Sequence, residues 1–182
     1  MRAPHLLVPL AAALLFAAGA SATPITPNTD LSGTVHDGEN HSGVNATNSN
    51  ITLASFVGTN LSSGTLRNVT ATGADFTGAN LTGTNLRDGS FTGALFDDAA
   101  MTGNLRGADF SGASFLGTNL GSATNWNLAT WTGASYDATT VLPAGMDPAA
   151  LGMLVGEPQT ATLLGLGLLG LGVFGRRRSL PS

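Results

Sequence analysis

The chain has 182 residues, no cysteine and a formal net charge of −4, with seven basic residues against 11 acidic ones. The lack of cysteine excludes disulfide cross-links and thiol chemistry, and the acidic balance argues against a basic surface for nucleic acid. Stability must therefore come from packing and hydrogen bonds. We expect neither a cofactor nor a nucleic-acid partner.

Residues 1–22 are predicted to be a secretory signal peptide, which makes signal peptidase the first processing partner. Arg2 supplies the positive start, residues 6–18 form the apolar stretch, and Ala20-Ser21-Ala22 is a small-x-small cleavage site. The alternative is an apolar helix of the mature protein. The abrupt polar shift after Ala22 favours cleavage, so the mature chain should begin near Thr23.

Residues 23–48 are predicted to be a linker followed by a degenerate first coil or cap. They continue a five-residue pattern only weakly, with His36 and His41 where apolar residues are expected. The segment from His36 to His41 also holds Asp37 and Glu39, but its spacing matches no tight metal motif. We assign no metal site: His36 and His41 are weak candidates, and a plain polar cap is the alternative.

Residues 49–143 repeat every five residues, a period that fits neither an α-helix nor a strand. The repeat divides into 19 blocks, and the third residue is apolar in 18 of them, Asn125 being the exception. All six phenylalanines of this span occupy that third position. A short fixed period of this kind predicts a solenoid.

If four blocks make one coil, residues 20 apart stack on one another. One residue is missing between Met101 and Leu105, and one is extra between Leu120 and Trp131. These slips change the spacing to 19 and then 21. Like residues then stack on like, and the predicted core column is Phe56, Phe76, Phe96, Phe115 and Tyr136. A second column ends at Val141, whereas Asp97 is predicted to face solvent.

The repeat resembles the pentapeptide-repeat family, whose consensus is a small residue, Asp or Asn, Leu or Phe, a polar residue and Gly. The stretch Ala74-Asp75-Phe76-Thr77-Gly78 shows the match. The resemblance implies an all-β fold, a right-handed quadrilateral β-helix with the first and third residue of each block pointing inward. Apolar helices from the signal peptide and from the C-terminal tail are expected at the two ends.

The solenoid contains three arginines, Arg67, Arg87 and Arg106, each following a leucine of the same column. Stacked coils would place these charges about 5 Å apart, where they repel one another unless they are neutralised. Asp88 could supply part of that charge. The strip is a candidate site for acidic polysaccharide or another anion, and a solvated face without a ligand is the alternative.

The repeat stops after Pro143, and residues 144–154 are predicted to form a short capping helix or linker. Asp147 followed by Pro148 is typical of a helix start, with Asp147 as N-cap. Such a helix would cover the end of the solenoid.

Residues 155–182 form a tail with three parts: the motif Val155-Gly156-Glu157-Pro158, an apolar Leu/Gly-rich stretch over 161–174, and Arg176-Arg177-Arg178. Fourteen helical residues span about 21 Å, short of a 30 Å hydrocarbon core, which indicates a transient membrane tether. The tail resembles the PEP-CTERM sorting signal. That resemblance implies cleavage by an exosortase in a Gram-negative, exopolysaccharide-producing bacterium. Gly156 departs from the family motif, which has proline there.

These features predict an exported, non-enzymatic structural rod of the cell envelope, outer surface or exopolysaccharide matrix. A polysaccharide- or protein-binding module that uses the arginine strip is the alternative. A DNA-mimic inhibitor of topoisomerases is a remote third possibility, because a signal peptide would remove the rod from cytoplasmic DNA enzymes.

Overall fold

The computed structural model of the protein describes residues 24–156 of the 182. The predicted signal peptide lies outside these residues, as does the sorting tail from Glu157 onward with Pro158, Arg176, Arg177 and Arg178. The described part contains a short 3-10 helix at Trp126–Leu128 and two short strands, β1 at Ser135–Tyr136 and β2 at Leu154–Val155. Residues 24–156 contain no helix that could span a membrane.

The chain winds into a β-helix in which each coil pairs with the next through isolated parallel β-bridges. Bridge positions recur every five residues, as at Asp30, Val35, Asn40 and Asn45, and each pairs with a residue 20 positions later. Each coil therefore has four bridge positions. The predicted 20-residue stacking is confirmed.

Residues 23–48, which were predicted to be a linker followed by a degenerate first coil or cap, contain a coil of the β-helix. Asp30 already pairs with Asn50, and Asn45 pairs with Thr65, so this segment supplies a full first coil. Its polar character does not prevent coiling, because the backbone bonds between coils are independent of the side chains.

Each five-residue unit is a bridge followed by a tight turn, and the unit around Phe76 is representative. The Asp75 carboxylate accepts a hydrogen bond from the Thr77 amide at 2.9 Å, which explains the preference for Asp or Asn before the central residue. The Ala79 amide then donates to the Phe76 carbonyl at 2.9 Å. Gly78 lies between them with a φ of 65°, the backbone region that the third residue of a type II turn requires.

The interior is filled by the central residues and by the small residues that begin each block. Phe56, Phe76, Phe96 and Phe115 stack with centroid distances of 5.0–5.3 Å and nearly parallel rings, as predicted. Tyr136 is half-buried against the core, but within residues 24–156 it makes no ring contact with Phe115. The predicted aromatic column therefore ends at Phe115.

Two aromatic contacts extend the core beyond the predicted column. Trp131 lies 5.3 Å from the ring of Phe115 and stacks on Phe110 at 4.9 Å. Phe110 in turn stacks on Phe91 at 5.3 Å, so a second aromatic column runs beside the first. His36 extends the first column at its other end, as described below.

Both predicted register slips are present. The bridge spacing falls to 19 between Asn85 and Asn104 and rises to 21 between Asp109 and Thr130. The extra residue is taken up by the 3-10 helix Trp126–Leu128. Asn125, the residue before this helix, is exposed and has a φ of 56°. Trp126 therefore packs against the core in place of Asn125, the central residue of its block.

The prediction for Val141 is wrong, because a third slip follows Tyr136. Asn119 pairs with Val141 at a spacing of 22, which leaves Val141 51% exposed and makes Leu142 the residue that packs against the core. The extra residue lies in the turn from Asp137 to Thr140, whose hydrogen bonds to the Asp137 carboxylate hold the longer loop.

The predicted helix near Asp147 is a turn in the structure. The Asp147 carboxylate accepts hydrogen bonds from the Ala149 and Ala150 amides, as an N-cap does, but the chain turns away after Leu151. Gly152, at a φ of 74°, leads into β2, which pairs in parallel with β1. The segment therefore returns to the solenoid and adds a short strand to its last coil.

Candidate functional site

The three arginines lie on consecutive coils at equivalent turn positions. The Asn68 amide donates to the Arg87 carbonyl, and the Asp88 amide donates to the Arg106 carbonyl, so the backbones of the three turns are joined in sequence. All three side chains are exposed or half-exposed. The predicted stacking of Arg67, Arg87 and Arg106 in one strip is present.

One carboxylate serves two of these arginines. Asp88 Oδ2 lies 2.9 Å from Arg87 Nε and 3.9 Å from Arg67 Nε. Arg106 makes no ion pair with any residue between 24 and 156. The strip therefore carries three guanidinium groups against one acidic partner, which leaves a local positive charge on an acidic protein.

His36 and His41 are brought together with a third residue that the sequence reasoning had not selected, Glu39. Its Oε2 atom lies 2.9 Å from His36 Nδ1 and 2.6 Å from His41 Nε2. The hydrogen bond with His36 contributes most to lowering the pKa of Glu39, so the carboxylate is anionic at neutral pH. The imidazoles thus converge on one charged oxygen.

The surroundings of His36 are those of a core residue. Its side chain is only 2% exposed, and its ring stacks on Phe56 at 5.1 Å with an interplanar angle of 11°. His41 meets the ring of His36 edge-on at 5.3 Å.

The five-residue phase of the sequence indicates that Glu39 lies beside His36 and His41. In the five-residue phase, His36 and His41 occupy central positions and Glu39 occupies the small first position, and all of these point inward. Three inward positions filled by ligating side chains are more informative than the linear spacing. The linear spacing of His36, Glu39 and His41, which matches no known motif, does not reveal this.

Two residues of the predicted sorting motif belong to the last coil. Val155 is part of β2, and the Gly156 amide donates to the Tyr136 carbonyl at 2.7 Å. A Cβ atom on Gly156 would lie 2.6 Å from Leu116 Cδ2. Proline, the family residue at this position, would lose the hydrogen bond and crowd Leu116.

These observations define a parallel β-helix with a filled interior and a five-residue turn repeat. Residues 65–98 and 91–124 match the family model "Pentapeptide repeats", with eight copies, and together they span 60 of the 182 residues. The matched residues 65–124 therefore carry the repeat of this family, as predicted for this part of the chain. The family implies a right-handed β-helix.

Several solved structures are similar to this chain. The pentapeptide-repeat protein Rfr23 from the cyanobacterium Cyanothece 51142 shares 21% identity over 64% of this chain and 89% of its own, with a TM-score of 0.31. The pentapeptide-repeat protein AT2G44920 from the Arabidopsis thaliana thylakoid lumen shares 23% sequence identity over 75% of this chain and 83% of its own, with a TM-score of 0.35. The pentapeptide-repeat protein alr5209 from Nostoc Pcc 7120 shares 24% sequence identity over 70% of this chain and 84% of its own, with a TM-score of 0.34. No curated protein matches the sequence.

Proposed function

We propose that this protein is an exported, non-enzymatic rod that acts in the cell envelope or exopolysaccharide matrix. The observation that carries the proposal is the bridge ladder, which runs from Asp30 to β2. Every buried side-chain nitrogen or oxygen between residues 24 and 156 has a hydrogen-bond partner. A solid, internally satisfied stack suits a structural element better than it suits a catalyst, which needs a concave pocket.

The four bridge positions per coil support the quadrilateral cross-section that the family resemblance implies. A regular coil has four turns with a backbone residue at positive φ, such as those at Gly58, Ser63, Asn68 and Gly73, and these turns form four corners. The two ends of the chain carry the export part of the proposal: a signal peptide over residues 1–22 and a PEP-CTERM-like tail from Val155 to Ser182.

Subcellular fractionation of the native host tests the export. We expect the chain in the envelope or culture medium, shortened at both ends. Recovery of the full-length chain from the cytoplasm would contradict the proposal and would make the DNA-mimic alternative worth testing.

Mass spectrometry of the released protein tests the sorting step. We expect cleavage near Glu157-Pro158 by an exosortase, with loss of Arg176, Arg177 and Arg178. A variant with all three arginines changed to glutamine should stay uncleaved or be cleaved more slowly, since these arginines would hold the tether at the cytoplasmic face. A released chain that ends in intact Arg176-Arg177-Arg178 would rule out this processing.

The second candidate function is anion binding by the arginine strip, and a specific observation favours it. Three guanidinium groups share one carboxylate, so two positive charges are left for a ligand such as an acidic polysaccharide. Exposed charges at a spacing of about 5 Å repel one another less when a polyanion lies along them.

A binding assay with a carboxylated or sulfated polysaccharide tests this function. Arg106→Gln should weaken binding more than Arg67→Gln, because Arg67 shares Asp88 with Arg87 whereas Arg106 has no acidic partner in residues 24–156. Asp88→Asn should strengthen binding by removing the competing carboxylate. Equal binding by all variants would leave the structural rod as the function.

A further inference from the structure

We propose that His36, Glu39 and His41 form a binding site for a divalent transition-metal ion of the Zn²⁺ class. His36 Nδ1, His41 Nε2 and a carboxylate oxygen of Glu39 all lie within 4.8 Å of one another. Two imidazole nitrogens and one carboxylate are a ligand set that zinc accepts, with a water in the fourth position. The inference is independent of the function proposed above.

The hydrogen bonds around His36 fix which nitrogen is free to bind a cation. The Thr34 hydroxyl donates its single hydrogen to the Leu31 carbonyl at 2.7 Å. The same hydroxyl oxygen lies 3.1 Å from His36 Nε2, so this nitrogen must be the donor in that contact. A neutral His36 therefore carries its proton on Nε2 and presents a lone pair at Nδ1.

That lone pair faces the anionic oxygen of Glu39 at 2.9 Å, and two acceptors at this distance repel each other. A metal ion bound between them would be attracted by both groups. His41 Nε2 approaches the same Glu39 oxygen, so a single divalent ion would satisfy all three groups at once.

The geometry needs only a small adjustment to admit the ion. Tetrahedral ligands 2.0–2.1 Å from zinc lie about 3.3 Å apart, which is about 0.4 Å more than the His36–Glu39 contact and about 0.7 Å more than the His41–Glu39 contact. Glu39 is 34% exposed and His41 15%, so both can move, whereas His36 is held by Phe56 on its face. The Thr34 hydroxyl is then an outer-shell partner that orients His36.

Isothermal titration of the untagged full chain with ZnCl₂ tests the proposal. We expect one site per chain and a rise in the thermal midpoint when Zn²⁺ is added, because the ion binds the folded state. Glu39→Gln and His41→Ala should each weaken binding by more than about ten-fold. His5→Ala is the matched control, since it removes the third histidine of the chain and should leave binding unchanged.

Thr34→Val separates a metal site from a merely packed cluster. It keeps the side-chain shape but removes the hydroxyl, so Zn²⁺ affinity should fall by about 10–100-fold. The shift in thermal midpoint that Zn²⁺ causes is compared with the metal-free melt of the same variant, because the variant also loses the hydrogen bond to Leu31. Circular dichroism without metal verifies that each variant folds. No saturable Zn²⁺ binding by the folded wild type, or equal binding by wild type, Glu39→Gln and His41→Ala, would overturn the proposal and leave a proton-sharing cluster.

Discussion

The aromatic column is the main packing feature at the scale of single residues. Phe96 lies between Phe76 and Phe115, with ring centroids 5.0 and 5.2 Å away, and also meets Phe91 and Phe110 edge-on. Its neighbours are fixed by bridges on both sides, so they cannot close a cavity easily.

Phe96→Ala should therefore lower the free energy of unfolding by about 3–5 kcal/mol. Tyr136→Ala should cost less, because Tyr136 is only half-buried and makes no ring contact with the described residues. Urea melts of the two variants check the order. A larger loss for Tyr136→Ala than for Phe96→Ala would contradict the packing argument.

The control for this experiment must be an outward residue without cross-coil bonds. Asp97 was predicted to be such a residue, but it is only half-exposed, and its carboxylate accepts hydrogen bonds from the Leu116 amide and the Ser114 hydroxyl on the next coil. Asp97→Ala should thus cost about 1 kcal/mol. Thr72→Ala, at an exposed side chain with no hydrogen bond, should change stability by less than about 0.5 kcal/mol.

At the scale of elements, the register slips show how the coil absorbs a missing residue. The first slip passes through Gly103, which is buried next to the backbone of the preceding coil. A Cβ atom on Gly103 would lie 1.8 Å from the Thr84 carbonyl oxygen. The shortened coil is therefore possible only because this position has no side chain.

We expect Gly103→Ala to destabilise the fold by about 3 kcal/mol, since a backbone atom must move to relieve the contact. Gly78→Ala is the matched control. A Cβ atom there meets nothing within 4 Å, so its cost of about 1 kcal/mol comes from the positive φ alone. Thermal melts that rank Gly78→Ala as the more damaging change would contradict this interpretation of the slip.

The long turn after Tyr136 makes stability depend on pH. Hydrogen bonds from Thr139, from the Gly117 amide and from Thr140 lower the pKa of Asp137 to about 2, against 3.8 for a free aspartate. The unfolded chain then binds more protons than the folded one below pH 4. Stabilisation by this carboxylate is therefore complete above about pH 4 and is lost as the pH falls toward 2.

Asp137→Asn should flatten the fall in stability between about pH 4 and pH 2, because the amide does not titrate. Denaturant melts across this range measure the effect. Asp98→Asn is the control, since Asp98 is exposed and accepts no hydrogen bond from any residue that the structure describes. The same flattening in both variants would mean that Asp137 has no special part in acid stability.

At the scale of the whole molecule, the protein is a stack in which each coil contacts only its neighbours. Such a stack is stabilised by repeated nearest-neighbour interfaces rather than by one central core. The bridges from Asn40 to Asn60 and from Asn60 to Asn80 show how one complete coil leads into the next.

A variant lacking residues 61–80 should therefore still fold, because it joins Asn60 to Leu81 in the same phase. Its circular dichroism should remain free of helical minima, with a lower melting midpoint than the full chain. A variant lacking residues 61–77 shifts the phase, exposes central residues and should not fold. Equal behaviour of the two deletions would refute coil-by-coil stacking.

The repeat, the 20-residue stacking and the first two slips can all be predicted from the sequence. These follow from local rules: Asp or Asn holds each turn, glycine or a tolerant residue adopts the positive φ, and one apolar side chain per block points inward. The aromatic column from Phe56 to Phe115 and the strip of Arg67, Arg87 and Arg106 follow from the same period.

The position of the third slip and the atomic contacts between polar groups are visible only in the folded chain. The third slip exposes Val141, whose amide donates to the Thr118 carbonyl and whose carbonyl accepts from the Leu120 amide, and no local rule predicts this pairing. Residues 29–48 join the β-helix through backbone hydrogen bonds, which do not depend on the type of side chain. Glu39 contacts His36 and His41 because coiling turns all three side chains inward. Polar groups that are removed from water need polar partners there.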